Sequence, residues 1–405
     1  MALTVTGLDN ASFNPANNPM IYTLSSTNTG QSNFRYIADV YINGASTYNR
    51  IEVVANPTYS SGVVDVSGIV QAALTSNNAD NTSTFNTNDG HLCEFTIQFG
   101  EQYGASSGIT TYPNLDSKSA YAYNGVFDPI SFLSYAQRDY IINDSASGFL
   151  TDCPLFQITE TEQLCISFLN QTTNQGTYLE VSSYEPDGSF ADTVRILNPF
   201  NTVNSNARRS VQMNISFAWL NSLVTADFTT GTAPFLLSPG SYTIRMLDSA
   251  SAVSSETITV YMVDQCTKTT PIRFKFLNNY GTYDYFTFLG TTKKKSDINR
   301  KNFKSNNYDW SSSGYSTNSK SRGTTQFETT LNDAVTVNSS WITAAQSVWL
   351  EQLVSSPDVY IYQGSNLVSV NIIDGVYEPK QEETDQLFEL SVTYRPSYNR
   401  TRQRR

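Results

Sequence analysis

The chain has few of the residues on which common enzyme chemistry depends, and histidine is the scarcest of them. A single histidine, His91, occurs among 405 residues, so neither a histidine-based triad nor a multi-histidine metal site can form within one chain. His91 follows a glycine in a polar stretch, which favours an inert surface histidine. The sequence also lacks a P-loop, a dinucleotide-binding glycine motif and a G-x-S-x-G motif. We therefore predict no enzyme activity, no metal and no cofactor.

Cysteine is also scarce, and its spacing gives no sign of zinc or redox chemistry. The four cysteines, Cys93, Cys153, Cys165 and Cys266, include no C-x-x-C pair. Cys93 and Cys165 lie in strand-like apolar runs, which favours buried free thiols over disulfides.

Long apolar runs are absent as well. The N-terminus has neither the basic nor the apolar segment of a signal peptide. No run reaches the roughly 18 apolar residues that would span a membrane. We expect a soluble chain that is made in a cytoplasm and has no membrane span.

Charged residues are the last group in short supply, at 15 % of the chain against roughly 25 % in average globular proteins. Asn, Ser and Thr take their place, and these residues favour turns and strand edges over helix interiors. Aromatic residues are abundant, at 13 %. The composition therefore predicts a mainly β protein, and the length predicts several domains.

The charge is divided unevenly along the chain. Residues 1–264 contain 8 Lys and Arg against 23 Asp and Glu, a net charge of −15, whereas residues 265–405 contain 17 against 13, a net charge of +4. The change of sign predicts a domain boundary near residue 265. An acidic body with a basic end suits an oriented subunit of an assembly, and it equally suits simple solubility.

Tandem β-sandwiches of the immunoglobulin or fibronectin type are predicted in the acidic part, at 1–115 and 153–265. In the first, the alternation from Phe34 to Ile42 predicts a strand that ends at the Asn43-Gly44 turn. A short helix capped by Asp65 and a polar loop at 76–90 should follow. In the second, predicted strands at 164–168, 178–181 and 257–262, and a Pro-Gly turn that leads into a strand ending at Met246, are typical of such sandwiches. Residues 116–152 are predicted to be a connector with a short helix.

A C-terminal α+β docking domain with one helix is predicted at 266–394. It opens with the aromatic stretch Pro271–Gly290, where Phe274 and Phe276 alternate with Arg273 and Lys275 as in a half-buried strand. Asn279 and Gly281 favour a chain reversal in this stretch.

The rest of this domain combines a basic insertion with a regular helix. The insertion 291–323 and the arginine-rich tail 395–405 are polar and apolar-poor, so we expect both to become ordered only on docking. Thr343 is predicted to cap a helix that ends near Pro357. The face predicted to be buried carries Ala345, Val348, Trp349, Gln352 and Leu353. Strands are predicted at 359–362, 367–373 and 387–394.

Other kinds of site have weaker support. Glu160, Glu162, Asp187 and Asp192 offer carboxylate pairs of the kind that hydrolyse glycosides, but any chain with 36 acidic residues offers such pairs. The Asn- and Asp-rich loop 77–89 has oxygen ligands for calcium, although it lacks the D-x-D-x-D-G order. The basic segment 293–304 could bind nucleic acid, but the acidic chain favours a protein-docking arm. Aromatic and Asn-rich loops could bind a host surface glycan.

Several blocks of the chain resemble structural proteins of tailed-bacteriophage virions. These blocks are Phe13–Thr27 followed by Asn33–Ile42, the stretch Phe276–Phe288, and the pair Trp349–Pro357 and Asp374–Lys380. The resemblance implies a non-enzymatic subunit of the tail, baseplate or neck, made in the host cytoplasm and present in several copies in the virion. Its partners would be other virion proteins and further copies of itself in a homo-oligomeric ring. No catalytic residues are implied.

The residues expected to make assembly contacts are aromatic residues of the hairpin and basic residues of the insertion and tail. They are Tyr283, Phe286, Phe288, Lys293, Lys294, Lys295, Arg400, Arg402, Arg404 and Arg405. The arginines would pair with acids on the 1–264 body of a neighbour. Deleting 395–405 is expected to abolish incorporation into particles while leaving the fold intact.

Overall fold

The structure is a computed structural model of the whole chain. It describes residues 3–78, 83–88, 90–170, 176–200, 209–224, 227–230, 240–263, 269–304, 306, 308–317, 323–364, 366–373, 380–382, 387–398 and 400–401.

The chain divides into two compact units. Unit 1 comprises Met1–Asp264 together with the short segment Leu277–Asp284, and unit 2 comprises Gln265–Phe276 and Tyr285–Arg405. The change at 264/265 lies next to the boundary predicted from the charge. The predicted division at 115/116 falls inside a strand, and both predicted sandwich segments belong to unit 1.

Unit 1 is built mainly of strands. They are β1 (Thr4–Thr6), β2 (Phe13–Pro15), β3 (Ile21–Ser25), β4 (Arg35–Ile42), β5 (Asn49–Val53), β6 (Ser61–Asp65), β7 (Phe85–Thr87), β8 (Leu92–Ala105), β9 (Gly108–Tyr123), β10 (Phe156–Ile158), β11 (Cys165–Asn170), β12 (Tyr178–Tyr184), β13 (Phe190–Leu197), β14 (Arg209–Asn214), β15 (Phe228–Thr230), β16 (Ser241–Leu247) and β17 (Ile258–Met262). The helices are α1 (Ser67–Gln71), α2 (Pro129–Leu133) and α3 (Phe217–Ser222), with a 3₁₀ turn at Gln137–Asp139.

The first half of unit 1 has two sheets around one hydrophobic core. The sheets have the strand orders β1-β3-β6 and β2-β9-β8-β4-β5. Tyr22 and Leu24 from the smaller sheet pack in the same cluster as Tyr36, Phe95 and Phe99 from the larger one. Alternation along each strand delivers these side chains to one face. The predicted turn after β4 is confirmed, since Asn43 and Gly44 have φ of 49° and 69°.

The second half of unit 1 adds a six-stranded sheet, β10-β17-β16-β12-β13-β15, and a three-stranded sheet, β11-β14-β7. β7 belongs to the segment predicted as a polar loop at 76–90, and it pairs with β14 through Phe85, Asn86 and Thr87. The loop prediction is therefore wrong for these residues. Residues 79–82 and 89 of the predicted calcium loop lie outside the described part of the chain.

The connector prediction is also corrected in part. Residues 108–123 form β9, which pairs along β8 in the larger sheet. A bulge near Gly100 and a positive φ at Asn114 interrupt the regular pattern there. Only the later part, with α2 and the 3₁₀ turn, is irregular as expected.

Unit 2 contains one large sheet, whose strands differ in length, a two-stranded sheet and one helix of 12 residues among its described residues. Its strands are β18 (Ile272–Leu277), β19 (Tyr283–Phe288), β20 (Thr292–Lys304), β21 (Tyr308–Ser311), β22 (Gly314–Thr317), β23 (Thr324–Ile342), β24 (Val359–Gln363), β25 (Asn366–Ile372), β26 (Lys380–Glu382), β27 (Leu387–Pro396) and β28 (Arg400–Thr401), and its helix is α4 (Ala344–Ser355). The main sheet has the order β19-β18-β24-β25-β27-β23-β20, with β26 on β27 and β28 on β23.

The predicted helix of unit 2 is confirmed, but its buried face differs. Thr343 and Gln346 form a reciprocal capping box at the start of α4. Trp349 and Leu353 are buried as predicted, whereas Val348 is 72 % exposed. Gln352 is also buried as predicted, but Gln346, Ser347 and Leu350 are buried too, so the buried face is rotated from the predicted one. Trp349 packs against Phe276 and Phe286 at ring-centroid distances of 5.6 and 6.0 Å.

Candidate assembly surfaces

The insertion predicted to be irregular contains a long β-ribbon. All 13 residues of β20 pair with β23 in antiparallel register, which gives a ribbon about 40 Å long at the usual rise per residue. β20 is the last strand in the order of the sheet, so its outer edge has no strand beside it among the described residues. The expectation that this segment becomes ordered only on docking is therefore corrected for 292–304. It is corrected likewise in the tail for 395–396, the end of β27, and for 400–401, which form β28.

This ribbon has little core of its own. Every residue of β20 is exposed except Asp297, which is half-buried, and Thr324–Thr330 of β23 includes no buried residue. Ile298, Phe303 and Phe327 are 43 %, 48 % and 39 % exposed. A two-stranded ribbon that is open on both faces has marginal stability in water. Its sequence is therefore suited to being covered on at least one face.

The two faces of β20 differ in how their charges are neutralised. On the Lys293 face (the odd-numbered residues 293–303), Lys295 pairs with Asp297 at 3.2 Å and Lys301 with Glu328 at 2.9 Å. On the Lys294 face (the even-numbered residues 294–304), Lys294, Arg300 and Lys304 have no ion-pair partner among the described residues. The Lys294 face also carries the exposed Ile298. It therefore combines free positive charge with apolar surface.

The predicted assembly residues fall into three groups. Lys293, Lys294 and Lys295 are exposed on β20. Tyr283 and Phe288 are buried at 4 % and 2 % exposure, and Phe286 is half-buried, with its ring edge-on to Phe288 at 5.0 Å. Arg400 lies in β28 and pairs with Leu331 of β23 through the backbone, whereas Arg402, Arg404 and Arg405 lie outside the described residues. Among the predicted residues whose side chains the structure describes, the exposed ones are the three lysines.

Two cations that the alternation predicts to face solvent are buried instead. Arg273 is 7 % exposed and Lys275 is 0 % exposed. The Arg273 guanidinium lies 5.2 Å from the centroid of the Tyr285 ring, and the Lys275 ammonium lies 5.8 Å from it. Arg273 also donates to Thr287 Oγ1 at 2.9 Å. The face of an aromatic ring attracts a cation, which offsets part of the cost of removing it from water.

The turn Leu277–Asp284 is the part of the aromatic stretch that belongs to unit 1, and Tyr280 is its centre. The Tyr280 ring packs near Phe127 and Tyr140 at 5.7 and 5.5 Å. Its hydroxyl donates to Asp152 Oδ1 at 2.5 Å. Tyr135 stacks on Tyr140 at 5.6 Å with an interplanar angle of 8°. Such pairs stabilise beyond their buried area, so this cluster fixes the turn in unit 1.

Hydrogen bonds hold the same turn at its two ends. Asn278 Oδ1 accepts from the backbone N–H groups of Tyr280 and Thr282, and Asn278 Nδ2 donates to the Leu150 carbonyl at 2.9 Å. Thr282 Oγ1 donates to the same carbonyl at 2.8 Å. The Val126 N–H donates to the Asn279 carbonyl at 2.7 Å. The chain reversal at Gly281 has φ of +74°, as predicted.

His91 is part of this turn's environment, which corrects its expected surface position. It is 0 % exposed, and its Nε2 lies 2.7 Å from the Tyr280 carbonyl oxygen. Since the partner is a carbonyl, Nε2 is the donor. Burial lowers the pKa of His91 to about 4, and the bond to Tyr280 opposes that shift. His91 is therefore neutral near pH 7, and its contacts make it a structural residue of the turn.

A second exposed feature is the tip of the β12–β13 hairpin, residues 184–192. Glu185, Asp187 and Asp192 are exposed there, and Phe190 is 60 % exposed with its ring 6.0 Å from Tyr184. The turn is well defined, because Asp187 Oδ1 accepts from the backbone N–H and the hydroxyl of Ser189 at 2.9 and 2.6 Å. These bonds lower the pKa of Asp187.

The acids considered for glycoside hydrolysis have structural roles where the structure shows their bonds. Glu162 Oε2 accepts from the Thr159 N–H at 2.9 Å, and Asp187 closes the hairpin turn. A general acid in a glycosidase needs a raised pKa, and that of Asp187 is lowered. Three cysteines, Cys93, Cys153 and Cys165, are free thiols, and Cys266 lies outside the described residues.

Two further features are absent from the described residues. No group of three or more His, Cys, Asp or Glu side chains is arranged to hold a metal ion. No helix in this part of the chain has both the length and the hydrophobicity to cross a membrane. Comparison with known proteins gave no match to any protein-family model and no detectably similar curated protein.

Proposed function

We propose that this chain is a non-enzymatic structural subunit of a tailed-phage virion, located in the tail, baseplate or neck ring. It assembles with further copies of itself and with other virion proteins through its β-rich units. The assignment to a virion is supported by the resemblance of the blocks around Phe13–Thr27, Phe276–Phe288 and Trp349–Pro357. Within unit 1, we propose immunoglobulin- or fibronectin-like sandwiches, and the core shared by its first two sheets supports a layered arrangement.

The observation that carries the assembly role is the ribbon of β20 and β23. It is exposed on both faces, has free cations on one of them, and exposes Ile298, Phe303 and Phe327. A surface of this kind is unfavourable in a protein that acts alone, because it gains little from burial and its open edge invites pairing. In an assembly the same surface is covered. The turn around Tyr280 is held by several hydrogen bonds and ring contacts. Elements of this kind give a subunit the rigidity that a contact repeated between copies needs.

The experiment is incorporation of an affinity-tagged chain into particles during infection. A structural subunit sediments with intact particles and remains with them through a salt wash. Because the deletion of 395–405 would remove the end of β27 and all of β28, the shorter deletion of residues 402–405 is the cleaner test: it should abolish this incorporation while the purified chain keeps its near-UV circular dichroism. A tagged chain that stays at the top of the gradient would contradict the proposal. Normal incorporation of the deletion variant would show that these tail residues take no part in assembly.

A second candidate, a receptor- or carbohydrate-binding module at the tail periphery, is favoured by exposed tyrosines in unit 1. Tyr59 is 78 % exposed, and the 46 % exposed Tyr48 packs against Tyr41 with the Arg50 guanidinium 5.3 Å from its ring centroid. Aromatic faces of this kind stack on sugar rings. Saturable glycan binding that is lost in Tyr48→Ala and Tyr59→Ala, with unchanged incorporation into particles, would support this candidate over a purely structural role.

A further inference from the structure

We infer that the Lys294 face of β20 is the docking surface for the acidic tip of the β12–β13 hairpin of a second copy of this chain. The inference rests on the proposed function as a structural subunit and names the contact through which copies join.

The two surfaces carry opposite charges. Lys294, Arg300 and Lys304 project from one face of one strand without ion-pair partners among the described residues. The tip 184–192 carries three acids and no base. Most of the cations described in unit 1 form ion pairs within that unit: Arg35 pairs with Glu52, Arg50 with Asp39, and Arg195 and Arg245 with Glu180. Unit 1 thus presents acids to a partner, and β20 presents bases.

Each surface also has an apolar residue at its centre. Ile298 lies between Lys294 and Arg300 on the same face and is 43 % exposed. Phe190 projects from the acidic tip at 60 % exposure. Apolar residues at the centre with charges around them are typical of protein interfaces. Nucleic acid would use the cations equally well, but it would not account for the acidic tip.

Both surfaces are pre-organised. The tip is a closed turn, with Glu185 N–H donating to the Ser189 carbonyl at 2.9 Å and Gly188 N–H donating to the Glu185 carbonyl at 2.8 Å. β20 is held by pairing along its whole length. Two ordered surfaces lose little conformational entropy when they meet. Because the surfaces are different patches, the contact is heterologous, and its repetition gives a ring or a filament rather than a two-fold dimer.

The test uses the full-length protein and exchanges charges between the two surfaces. Lys294→Glu/Arg300→Glu changes the ribbon, and Glu185→Lys/Asp192→Lys changes the tip. Each has a matched control with the same change in net charge: Lys293→Glu/Lys301→Glu on the opposite face of β20, and Asp9→Lys/Glu160→Lys at exposed acids elsewhere in unit 1. Near-UV circular dichroism verifies that every variant is folded.

Self-association is measured by sedimentation velocity over a concentration series at low salt. We expect the wild type to associate, with weaker association as salt is added. The ribbon variant and the tip variant should each weaken association by at least about tenfold, because each reversal turns an attraction into a repulsion. The controls should stay within about threefold of the wild type, since rim charges away from a contact have small effects. The variant with all four changes at the two surfaces should recover association.

Mixing provides the sharpest outcome. The ribbon variant keeps an intact tip, and the tip variant keeps an intact ribbon. Together they should form assemblies larger than a one-to-one complex, although neither associates alone, because the intact tip meets the intact ribbon and the reversed ribbon meets the reversed tip. A two-fold interface made of the same contacts would instead stop at the one-to-one complex.

Several results would overturn the inference. A wild type that is monomeric at every concentration, equal loss in the controls, or no recovery in the combined variant would each do so. Loss of binding to duplex DNA in the ribbon variant, with unchanged self-association, would assign the face to nucleic acid. If the ribbon and tip variants are incorporated into particles normally, the contact is wrong but the proposed function stands. If the wild type is absent from particles, the proposed function itself fails.

Discussion

Replacing Gly281 by alanine should loosen the turn Leu277–Asp284 from the aromatic cluster of unit 1. Gly281 has φ of +74°, and a Cβ added there would clash with the backbone carbonyl oxygen of Asn124. The left-handed conformation alone costs an alanine about 1–2 kcal/mol. The clash is with backbone, so only movement of the turn relieves it, and that movement weakens the bonds of Asn278 and Thr282 to the Leu150 carbonyl. At about 1 kcal/mol for each bond, the total loss of local stability is about 3–4 kcal/mol.

A matched control separates the clash from the conformational cost. Gly44 has φ of +69°, but a Cβ added there meets nothing within 4 Å. Gly44→Ala should therefore incur only the cost of the left-handed conformation, about 1–2 kcal/mol. Hydrogen exchange in the native protein gives the local readout, because the Val126 N–H is bonded to the Asn279 carbonyl. We expect Gly281→Ala to speed exchange at Val126 by roughly 10²- to 10³-fold, the equivalent of about 3–4 kcal/mol. Unchanged exchange at Val126, or equal acceleration by both variants, would refute the argument.

Three further predictions concern titration, thiol reactivity and helix capping. Burial lowers the pKa of His91 to about 4, so as the pH falls the unfolded state is protonated before the folded state. The free energy of unfolding should therefore fall by about 2 kcal/mol from pH 7 to pH 5. Urea unfolding of His91→Gln should lack this loss, and an unchanged pH dependence would contradict it. Burial raises the pKa of Cys93 to about 12, so iodoacetamide should label Cys153 in the native protein but label Cys93 only after unfolding, as mass spectrometry would reveal. Thr343→Ala removes half of the capping box and should cost about 1 kcal/mol in urea unfolding, whereas Thr343→Ser should cost little.

Part of the strand content could be predicted because many strands bury one face more than the other. β4, β8 and β24 alternate between apolar and polar residues, and the alternation marks them as strands. The start of α4 was predictable from Thr343, a capping residue before an apolar series. Its buried face was predicted only in part, because the polar residues Gln346 and Ser347 lie on the buried side and hydrophobicity alone does not indicate that.

The ribbon was missed because neither face of β20 is buried. With no buried face there is no alternation, and a run of three lysines has the composition of a solvated loop. Arg273 and Lys275 illustrate the opposite case, a strand with both faces buried. Their alternation with Phe274 and Phe276 predicted the strand correctly, but β18 is covered on both faces, so the cations are buried beside Tyr285. The role of the Tyr280 turn depends on partners more than 100 residues away, such as Leu150 and His91, and no local pattern reveals them.

The most direct test of the proposed virion role is quantitative mass spectrometry of phage particles purified from the culture in which this chain is made. We expect the chain to be a stoichiometric component, present in a fixed number of copies relative to the major tail or neck proteins, and to remain after washing with high salt. Particles that are complete and infectious without any detectable copy of the chain would contradict it.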